Sequence, residues 1–181
     1  METSRLWRKT VAEIAKEYED VTLEFLFIDN ATMQLLLNPK QFDVILTENL
    51  FGDIISDEAS VISGSIGLLA SSSIGSNNAL FEPIHGIYYE AKGKNIANPL
   101  ASILSVSMLL KHLGLHEEAD AVERAVEKSI ALGITTKDIK RKTQKSTTTS
   151  KVGDFIADYI TNQDDSNMNF QNIYMGQSTI I

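Results

Sequence analysis

Hydrophobic residues recur every three or four positions along several segments, which is the spacing of one face of a helix. Near the start of the chain they form a single apolar stripe with Arg and Lys opposite, and this predicts an amphipathic helix over Ser4 to Tyr18. The last such segment, 149–162, opens with hydroxyl residues that suit a helix cap. The same spacing predicts four other helices, over residues 31–37, 52–63, 98–113 and 117–132.

Two shorter runs, 21–28 and 43–47, are rich in β-branched and aromatic residues and predict β-strands, and 80–84 is predicted as a third. Residues 64–78 are rich in glycine and serine, a composition that also suits a flexible linker. Apolar residues within that stretch favour a strand that crosses between two domains instead. Strands and helices alternate along the chain, which is typical of an α/β fold.

The overall composition narrows the classes of function. With 181 residues, 43% of them hydrophobic, the chain can build an ordinary domain with a real core. Its net charge of −8 argues against a nucleic-acid binder, and the short basic run from Lys137 to Lys145 is interpreted as a solvated loop. There are no cysteines, and no apolar run is long enough to cross a membrane. We therefore expect a soluble cytoplasmic protein that binds neither nucleic acid nor membrane.

Two aspartates, Asp53 and Asp57, stand four residues apart in the predicted helix 52–63. Positions with this spacing lie about 40° apart on one helical face. Carboxylates so placed repel each other unless a cation or hydrogen-bond donors compensate, and Mg²⁺ is often held by one or two carboxylates. An acidic residue in a first helical turn also complements the helix dipole. That structural role accounts for Asp53 well and for Asp57 poorly.

Three motifs are long and specific. They are FDVILTENLFGDIISDEAS from Phe42 to Ser60, FEPIHG from Phe81 to Gly86, and NIANP from Asn95 to Pro99. Together they resemble the isocitrate/isopropylmalate dehydrogenase family, and the first is most similar to the 3-isopropylmalate dehydrogenases of leucine biosynthesis. The resemblance extends from about residue 2 to about residue 158. It implies that family's α/β fold, in an incomplete form that corresponds to the family's C-terminal half.

The resemblance implies an oxidoreductase that uses NAD and Mg²⁺ or Mn²⁺ to convert 3-isopropylmalate into 4-methyl-2-oxopentanoate by oxidative decarboxylation. In the family, aspartates that match Asp53 and Asp57 of one subunit meet the match for Asp29 of the other subunit. All three are then catalytic and metal-binding residues of a homodimer. Asp29 also follows a predicted strand and precedes a predicted helix, where it suits an N-cap. The two roles are compatible.

The resemblance also implies an NAD-binding cradle between the second and third motifs. Gly86 lets the backbone approach a ligand closely, and Glu90 favours NAD over NADP because a carboxylate would repel a 2′-phosphate. The larger side chains at 87–89 depart from the small residues of the family. Asn98 before Pro99 also suits an N-cap with proline at the first helical position. The implied cofactor-binding residues are Glu82, His85, Gly86, Glu90, Gly93, Ile96 and Asn98.

The family's substrate-binding arginines, the tyrosine that protonates the enolate and the lysine that assists hydride transfer have no match in this chain. A partial sequence, a split gene and an internally started product would all look like this. The resemblance implies that residues 1–63 form the rear half of a substrate and dimerisation domain. Residues 64–181 then form the C-terminal part of a cofactor domain, with a loose polar tail over 163–181. We expect the chain by itself to show no turnover.

Two alternatives stay open. The substrate of another family member, such as isocitrate, homoisocitrate or tartrate, is compatible with these residues, since the substrate side-chain pocket belongs to the unmatched half. A non-catalytic dimerisation module is also compatible, with an interface formed by the predicted helices 30–37 and 52–63. The apolar residues expected at that interface are Met33, Leu36, Ile54, Ile55 and Val61.

Overall fold

The computed structural model describes residues 1–139 and 145–162. The chain divides into two compact units, Met1–Ile55 and Ser56–Ile181. The predicted boundary after residue 63 concerns the domains of the family and stays a prediction. The predicted tail over 163–181 and residues 140–144 of the basic run lie outside the described residues. Within the described ranges, no helix is long and apolar enough to cross a membrane.

The first unit is built from two helices and the beginning of a third. Helix α1 spans Glu2–Ile14 and continues into a 3₁₀ turn at Ala15–Glu17, which confirms the first predicted helix. Helix α2 spans Ile28–Leu37 and ends just before Asn38, whose position ahead of a proline disfavours the helical region. Helix α3, Asn49–Ser63, begins three residues before the predicted start and continues into the second unit.

Neither strand predicted in the first unit forms. Residues 21–27 and 43–47 belong to no helix or strand, and Ile28 is already the first residue of α2. A strand exists only through hydrogen bonds to a neighbouring strand. The only sheet in the described part of the chain pairs two other segments. Both predictions are therefore wrong for this chain, because the strand-forming composition is present and the partner strand is not.

Little apolar surface is buried in the first unit. Its buried hydrophobic residues are Ala31, Leu35 and Ile55, and they are outnumbered several-fold by large apolar side chains that remain exposed. The burial of Ile55 contradicts its predicted place on an association surface, because a side chain that is already covered cannot contribute a free contact. The other residues expected at that surface are exposed: Met33, Leu36, Ile54 and Val61.

The second unit contains a two-stranded antiparallel sheet that is covered by a helix. Strand β1, Ala70–Ile74, pairs with strand β2, Ala79–Pro83, so that Ala70 lies opposite Pro83. These strands confirm that residues 64–78 contain a strand and that residues 80–83 of the predicted strand 80–84 form another. That the first of them crosses between two domains stays a prediction. Helix α4, Leu100–His112, packs against both strands and also against the helix that follows it.

Two further helices complete the core of this unit. Helix α5, His116–Leu132, ends at Gly133, whose φ of 74° is a left-handed conformation that suits glycine. Helix α6, Thr149–Asn162, packs against α5. Both confirm their predictions, as does α4. The buried cluster between these helices consists of Leu100, Ala125, Val126, Ile134, Val152, Phe155 and Ile156.

A polar link fixes α4 against α5. The Ser107 hydroxyl and the Lys111 ammonium both donate to Oε1 of Glu123, each at 2.7 Å. The hydrogen bond from Lys111, followed by that from Ser107, lowers the pKa of Glu123, and the same contact with Glu123 raises the pKa of Lys111. These two hydrogen bonds join one turn of α4 to one turn of α5.

Candidate functional site

Helix α3 carries both aspartates of the predicted metal site on one face. Asp53 and Asp57 are exposed and one helical turn apart. The side-chain amide of Asn49 donates to Oδ2 of Asp53 at 3.3 Å. The helix starts in a defined way, because the carboxylate of Glu48 accepts hydrogen bonds from the amides of Leu50 and Phe51, both at 3.0 Å. The position of the two carboxylates is therefore set by a capped helix.

Asp29 is the second residue of α2 and lies in its first turn. The N-cap is Phe27, which has no side-chain capping hydrogen bond, so the predicted capping role of Asp29 is wrong. Helix α2 begins at Ile28, one residue before Asp29, because the Phe27 carbonyl oxygen already accepts the amide of Ala31 at 2.8 Å. Oδ1 of Asp29 accepts the amide of Asn30 at 2.8 Å, and the side chain is exposed. An exposed carboxylate in this turn complements the helix dipole.

The donor chemistry of these carboxylates suits a hard divalent cation, since Mg²⁺ and Mn²⁺ prefer oxygen ligands. Among the described residues, however, the single chain gathers no group of three or more acidic, histidine or cysteine side chains that could hold a metal ion. Asp53 and Asp57 are brought to one helical face, and Asp29 belongs to a different helix. Its predicted contribution from a second subunit stays a prediction.

The predicted cofactor segment is an open loop between β2 and α4. Neither Gly86 nor Gly93 has an atom within 4 Å of the place that a Cβ would take, and Gly93 has a φ of +73°. Backbone at both positions is thus accessible to a ligand. His85 is half-buried, with Nδ1 at 3.1 Å from the Gly86 carbonyl oxygen. Three other predicted residues are exposed: Glu82, which lies in β2, and Glu90 and Ile96 of the loop.

Asn98 is the most constrained of the predicted cofactor residues. Its Oδ1 accepts the amide of Leu100 at 3.0 Å, but the N-cap of α4 is Pro99 and Leu100 is the first helical residue. The predicted N-cap at Asn98 with proline at the first helical position is therefore wrong by one residue, because Pro99 itself precedes the helix. Its Nδ2 donates to Oδ2 of Asp138 at 2.9 Å. Gly67 packs closely against the Asn98 side chain, since a Cβ on Gly67 would lie only 2.8 Å from Cβ of Asn98. The side chain is therefore held in one orientation.

Asp138 is a polar residue of this region that sequence reasoning missed. Besides the amide of Asn98, it accepts hydrogen bonds of 2.6 Å from the hydroxyls of Ser65 and Thr136. Partial burial of the carboxylate raises the pKa of Asp138, but the hydrogen bonds from Ser65, Thr136 and Asn98 outweigh burial, so the pKa lies below its ordinary value. In the sequence Asp138 stands within a basic run, and only the fold reveals its partners.

The loop before Asn98 is tied to the start of α6. Asn95 adopts a φ of 55°, and its Oδ1 accepts the amide of Ser150 at 3.0 Å while its carbonyl oxygen accepts the amide of Thr149 at 3.1 Å. The Thr149 hydroxyl donates to the carbonyl oxygen of Ala97 at 2.6 Å. Oγ1 of Thr148 accepts the amide of Lys151 at 3.4 Å, which confirms the predicted hydroxyl capping of α6. The start of α6 therefore also anchors the predicted cofactor loop.

Known proteins share both this sequence and this fold. The family model described as isocitrate/isopropylmalate dehydrogenase matches residues 1–156. The chain belongs to this family. The 3-isopropylmalate dehydrogenase of Wolinella succinogenes is 56% identical over 161 residues, which cover 88% of this chain and 45% of the relative. That of Thermotoga maritima is 54% identical over 155 residues, or 85% of this chain and 44% of the relative.

Solved structures of this dehydrogenase family have the same fold. The isocitrate dehydrogenase of Methylococcus capsulatus superposes with a TM-score of 0.83 at 38% identity, covering 87% of this chain and 46% of that one. A β-decarboxylating dehydrogenase from Thermococcus kodakarensis superposes with a TM-score of 0.77 at 38% identity. The superposition covers 93% of this chain and 49% of that one. The chain thus spans somewhat less than half the length of the relatives it matches. The fold expected from the three motifs, an incomplete α/β fold of this family, is confirmed.

Proposed function

We propose that this chain supplies the metal-binding aspartates and the NAD-binding cradle of an enzyme that oxidatively decarboxylates 3-isopropylmalate in leucine biosynthesis. The observation that carries the proposal is the 56% identity to a 3-isopropylmalate dehydrogenase across 161 residues, a span that includes every predicted site residue. Among relatives named for different substrates, this identity exceeds the 38% found with the isocitrate dehydrogenase structure. A cytoplasmic location and a homodimer belong to the same proposal.

In the proposed reaction the aspartates of this chain bind and orient. Asp53 and Asp57 present negative charge from one exposed helical face, and Asp29 of a second subunit would complete the set of oxygen ligands. A bound Mg²⁺ or Mn²⁺ supplies a Lewis acid for the hydroxyl and carboxylate of the substrate. The Asp53 carboxylate accepts a hydrogen bond from Asn49. Because a carboxylate has several lone pairs, this bond is compatible with binding a metal ion.

The loop residues would position NAD, which supplies the hydride acceptor. The open backbone at Gly86 and Gly93 permits close approach of a dinucleotide, and exposed Glu90 disfavours an additional 2′-phosphate. Asn98 presents an amide whose orientation is fixed by Asp138 and Gly67. These groups bind and orient, and proton transfer to the decarboxylated product requires an acid that belongs to the unmatched half of the family.

The proposal is tested by co-expressing the chain with the N-terminal half of the Wolinella succinogenes relative and following NADH formation. We expect no turnover from the chain alone, and measurable turnover of 3-isopropylmalate with NAD and Mg²⁺ from the pair, because positioning of the substrate contributes much of the rate. Asp53→Ala and Asp57→Ala are expected to abolish most of that activity. The matched control is Asp120→Ala, which removes an exposed helical aspartate elsewhere. Robust turnover by the chain alone would refute this assignment of roles.

A second substrate is supported by one specific observation. The structural neighbour with the TM-score of 0.83 is named an isocitrate dehydrogenase. The same co-expressed pair, assayed with isocitrate in place of 3-isopropylmalate, separates the two. A higher kcat/KM with isocitrate would favour that substrate and leave the roles of the aspartates unchanged.

A further inference from the structure

The loop between β2 and α4 presents two adjacent aromatic side chains to solvent. Tyr88 and Tyr89 are 60% and 73% exposed. Neither ring pairs with another aromatic ring of the described residues, and neither phenol hydroxyl forms a hydrogen bond within them. A tyrosine ring has a large apolar face whose burial against a partner is favourable. In a loop proposed to bind NAD, two such neighbouring rings offer a surface for a flat ligand group.

The backbone that carries these rings has a defined shape. A 3₁₀ turn begins at Tyr89, whose carbonyl oxygen accepts the amide of Lys92 at 3.1 Å. The carbonyl oxygen of Tyr88 accepts the amide of Ala91, also at 3.1 Å. The Ala91 side chain is buried, and its carbonyl oxygen accepts the amide of Lys94 at 3.0 Å. These contacts form without a ligand, so binding to the rings requires little additional ordering of the backbone.

The charged neighbours of the two tyrosines indicate which flat group the rings would meet. Glu90 directly follows Tyr89, is exposed, and is the residue proposed to stand at the 2′-position of the adenosine ribose. The base attached to that ribose is adenine. Lys92 and Lys94 are exposed as well, so two lysines outweigh one glutamate in this turn, and a net positive charge suits the diphosphate of a dinucleotide.

We propose that Tyr88 and Tyr89 form an aromatic platform on which the adenine of NAD stacks. This inference rests on the proposed function. Both side chains are larger than the small residues that the family carries here, so the platform is a feature of this chain and is not carried over from the resemblance. Aromatic side chains hold bases in this way because every base has a π-face. The adenine end of the cofactor then binds to this chain independently of the nicotinamide end.

The test titrates the 181-residue chain with ADP-ribose, which contains the adenine end of NAD and lacks nicotinamide, by isothermal calorimetry. We expect Tyr88→Ala combined with Tyr89→Ala to weaken binding about tenfold or more, because stacking on aromatic side chains contributes at least that much affinity. Tyr88→Phe combined with Tyr89→Phe keeps both rings and should retain the affinity within about twofold. Tyr18→Ala is the matched control, since Tyr18 is 55% exposed and belongs to the first unit.

A ring contact also has a spectroscopic signature that a merely structural role lacks. The carbon-bound adenine protons of ADP-ribose should shift upfield in the NMR spectrum on binding, because protons above an aromatic ring are shielded by its ring current. The shift should persist in the phenylalanine pair and be lost in the alanine pair. Measured on the unmodified chain, this shift tests the inference even if the alanine pair fails to fold. An unchanged melting temperature verifies that it folds.

Several outcomes would overturn the inference. They are absence of ADP-ribose binding by the unmodified chain, binding without the upfield shift, and equal affinities for the alanine and phenylalanine pairs. An alanine pair that binds ADP-ribose normally but sediments as a smaller species would assign the two rings to a contact between copies of the chain, with the same consequence.

The result separates this inference from the proposed function. ADP-ribose binding with the upfield shift, together with no NADH formation by the chain co-expressed with the N-terminal half of the Wolinella succinogenes relative, would refute the enzyme assignment and support the platform. An active co-expressed complex whose affinity for NAD is unchanged by the alanine pair would do the reverse.

Discussion

At the scale of single residues, the orientation of Asn98 depends on two neighbours, one that binds its side chain and one that leaves space for it. Asp138 attracts its amide, and Gly67 leaves room for its side chain, since a Cβ on Gly67 would lie 2.9 Å from Nδ2 of Asn98. Contact at that distance forces one of the two groups to move. The proposed NAD contact of Asn98 therefore depends on a residue that itself has no side chain.

Gly67→Ala tests this dependence. We expect the affinity of the reconstituted enzyme for NAD to fall about tenfold, corresponding to about 1.4 kcal/mol, because the amide of Asn98 is displaced. Titration calorimetry with NAD measures the change. Gly153→Ala is the matched control, since no atom lies within 4 Å of the place of its Cβ and it is far in sequence from the loop. Equal affinities for both variants would contradict the role of Gly67.

Asp138 also predicts a dependence of stability on pH. Because its pKa is lower in the folded chain than the ordinary value, its ionised form stabilises the fold above the ordinary pKa of an aspartate, and the stabilisation is lost as the pH falls through the lowered pKa. Asp138→Asn should cost about 1 kcal/mol at neutral pH, a modest value because water screens the part of the carboxylate that stays exposed. Urea unfolding between about pH 7 and about pH 3 should show a flatter acid limb for the variant. If the variant and the unmodified chain showed the same dependence of stability on pH, the stabilising role of the hydrogen bonds to Asp138 would be contradicted.

At the scale of elements, every helix predicted from apolar spacing forms, because a helix satisfies its backbone within its own sequence and needs only one face covered. The strands predicted in the first unit do not form, because a strand needs the hydrogen bonds of a neighbouring strand and, among the described residues, neither segment has one. For the same reason the placement of Asp53 and Asp57 on one face of α3 was predictable from their spacing, while their role as metal ligands stays a prediction. Asp138 was not, because Ser65 lies 73 residues away from it in the sequence.

Helix α6 permits a test of helix propensity. Gly153 lies within this helix and has open space around its Cβ position. Gly153→Ala is expected to raise the free energy of unfolding of the second unit by about 0.5–1 kcal/mol, because alanine loses less backbone entropy in a helix. Thermal unfolding followed by circular dichroism provides the measurement. A lower melting temperature would show that the α6 backbone at this position is not free to accept a side chain.

At the scale of the whole molecule, the exposed apolar faces of α2 and α3 predict self-association. Leu36 and Ile54 are 52% and 48% exposed, more apolar exposure than a short helix needs for its own packing. In the co-expressed complex, Leu36→Lys and Ile54→Lys are expected to shift the sedimentation profile from dimer toward monomer. Leu113→Lys, at an exposed turn between α4 and α5, is the control and should leave the profile unchanged. A dimer that survives both helix substitutions would place the interface elsewhere.

The hydrogen bonds between Asn95 and the start of α6 also affect when this part of the fold can form during synthesis on the ribosome. Asn95 and Ser150 are 55 residues apart in the sequence, and Ser65 and Asp138 are 73 apart. At roughly 5–20 residues per second, several seconds of synthesis pass between the emergence of the first partner of each bond and the second. Until then the loop from Gly86 to Asn98 lacks the anchors that shape it. A nascent chain is therefore unable to give the proposed NAD-binding loop its final shape until helix α6 has left the exit tunnel.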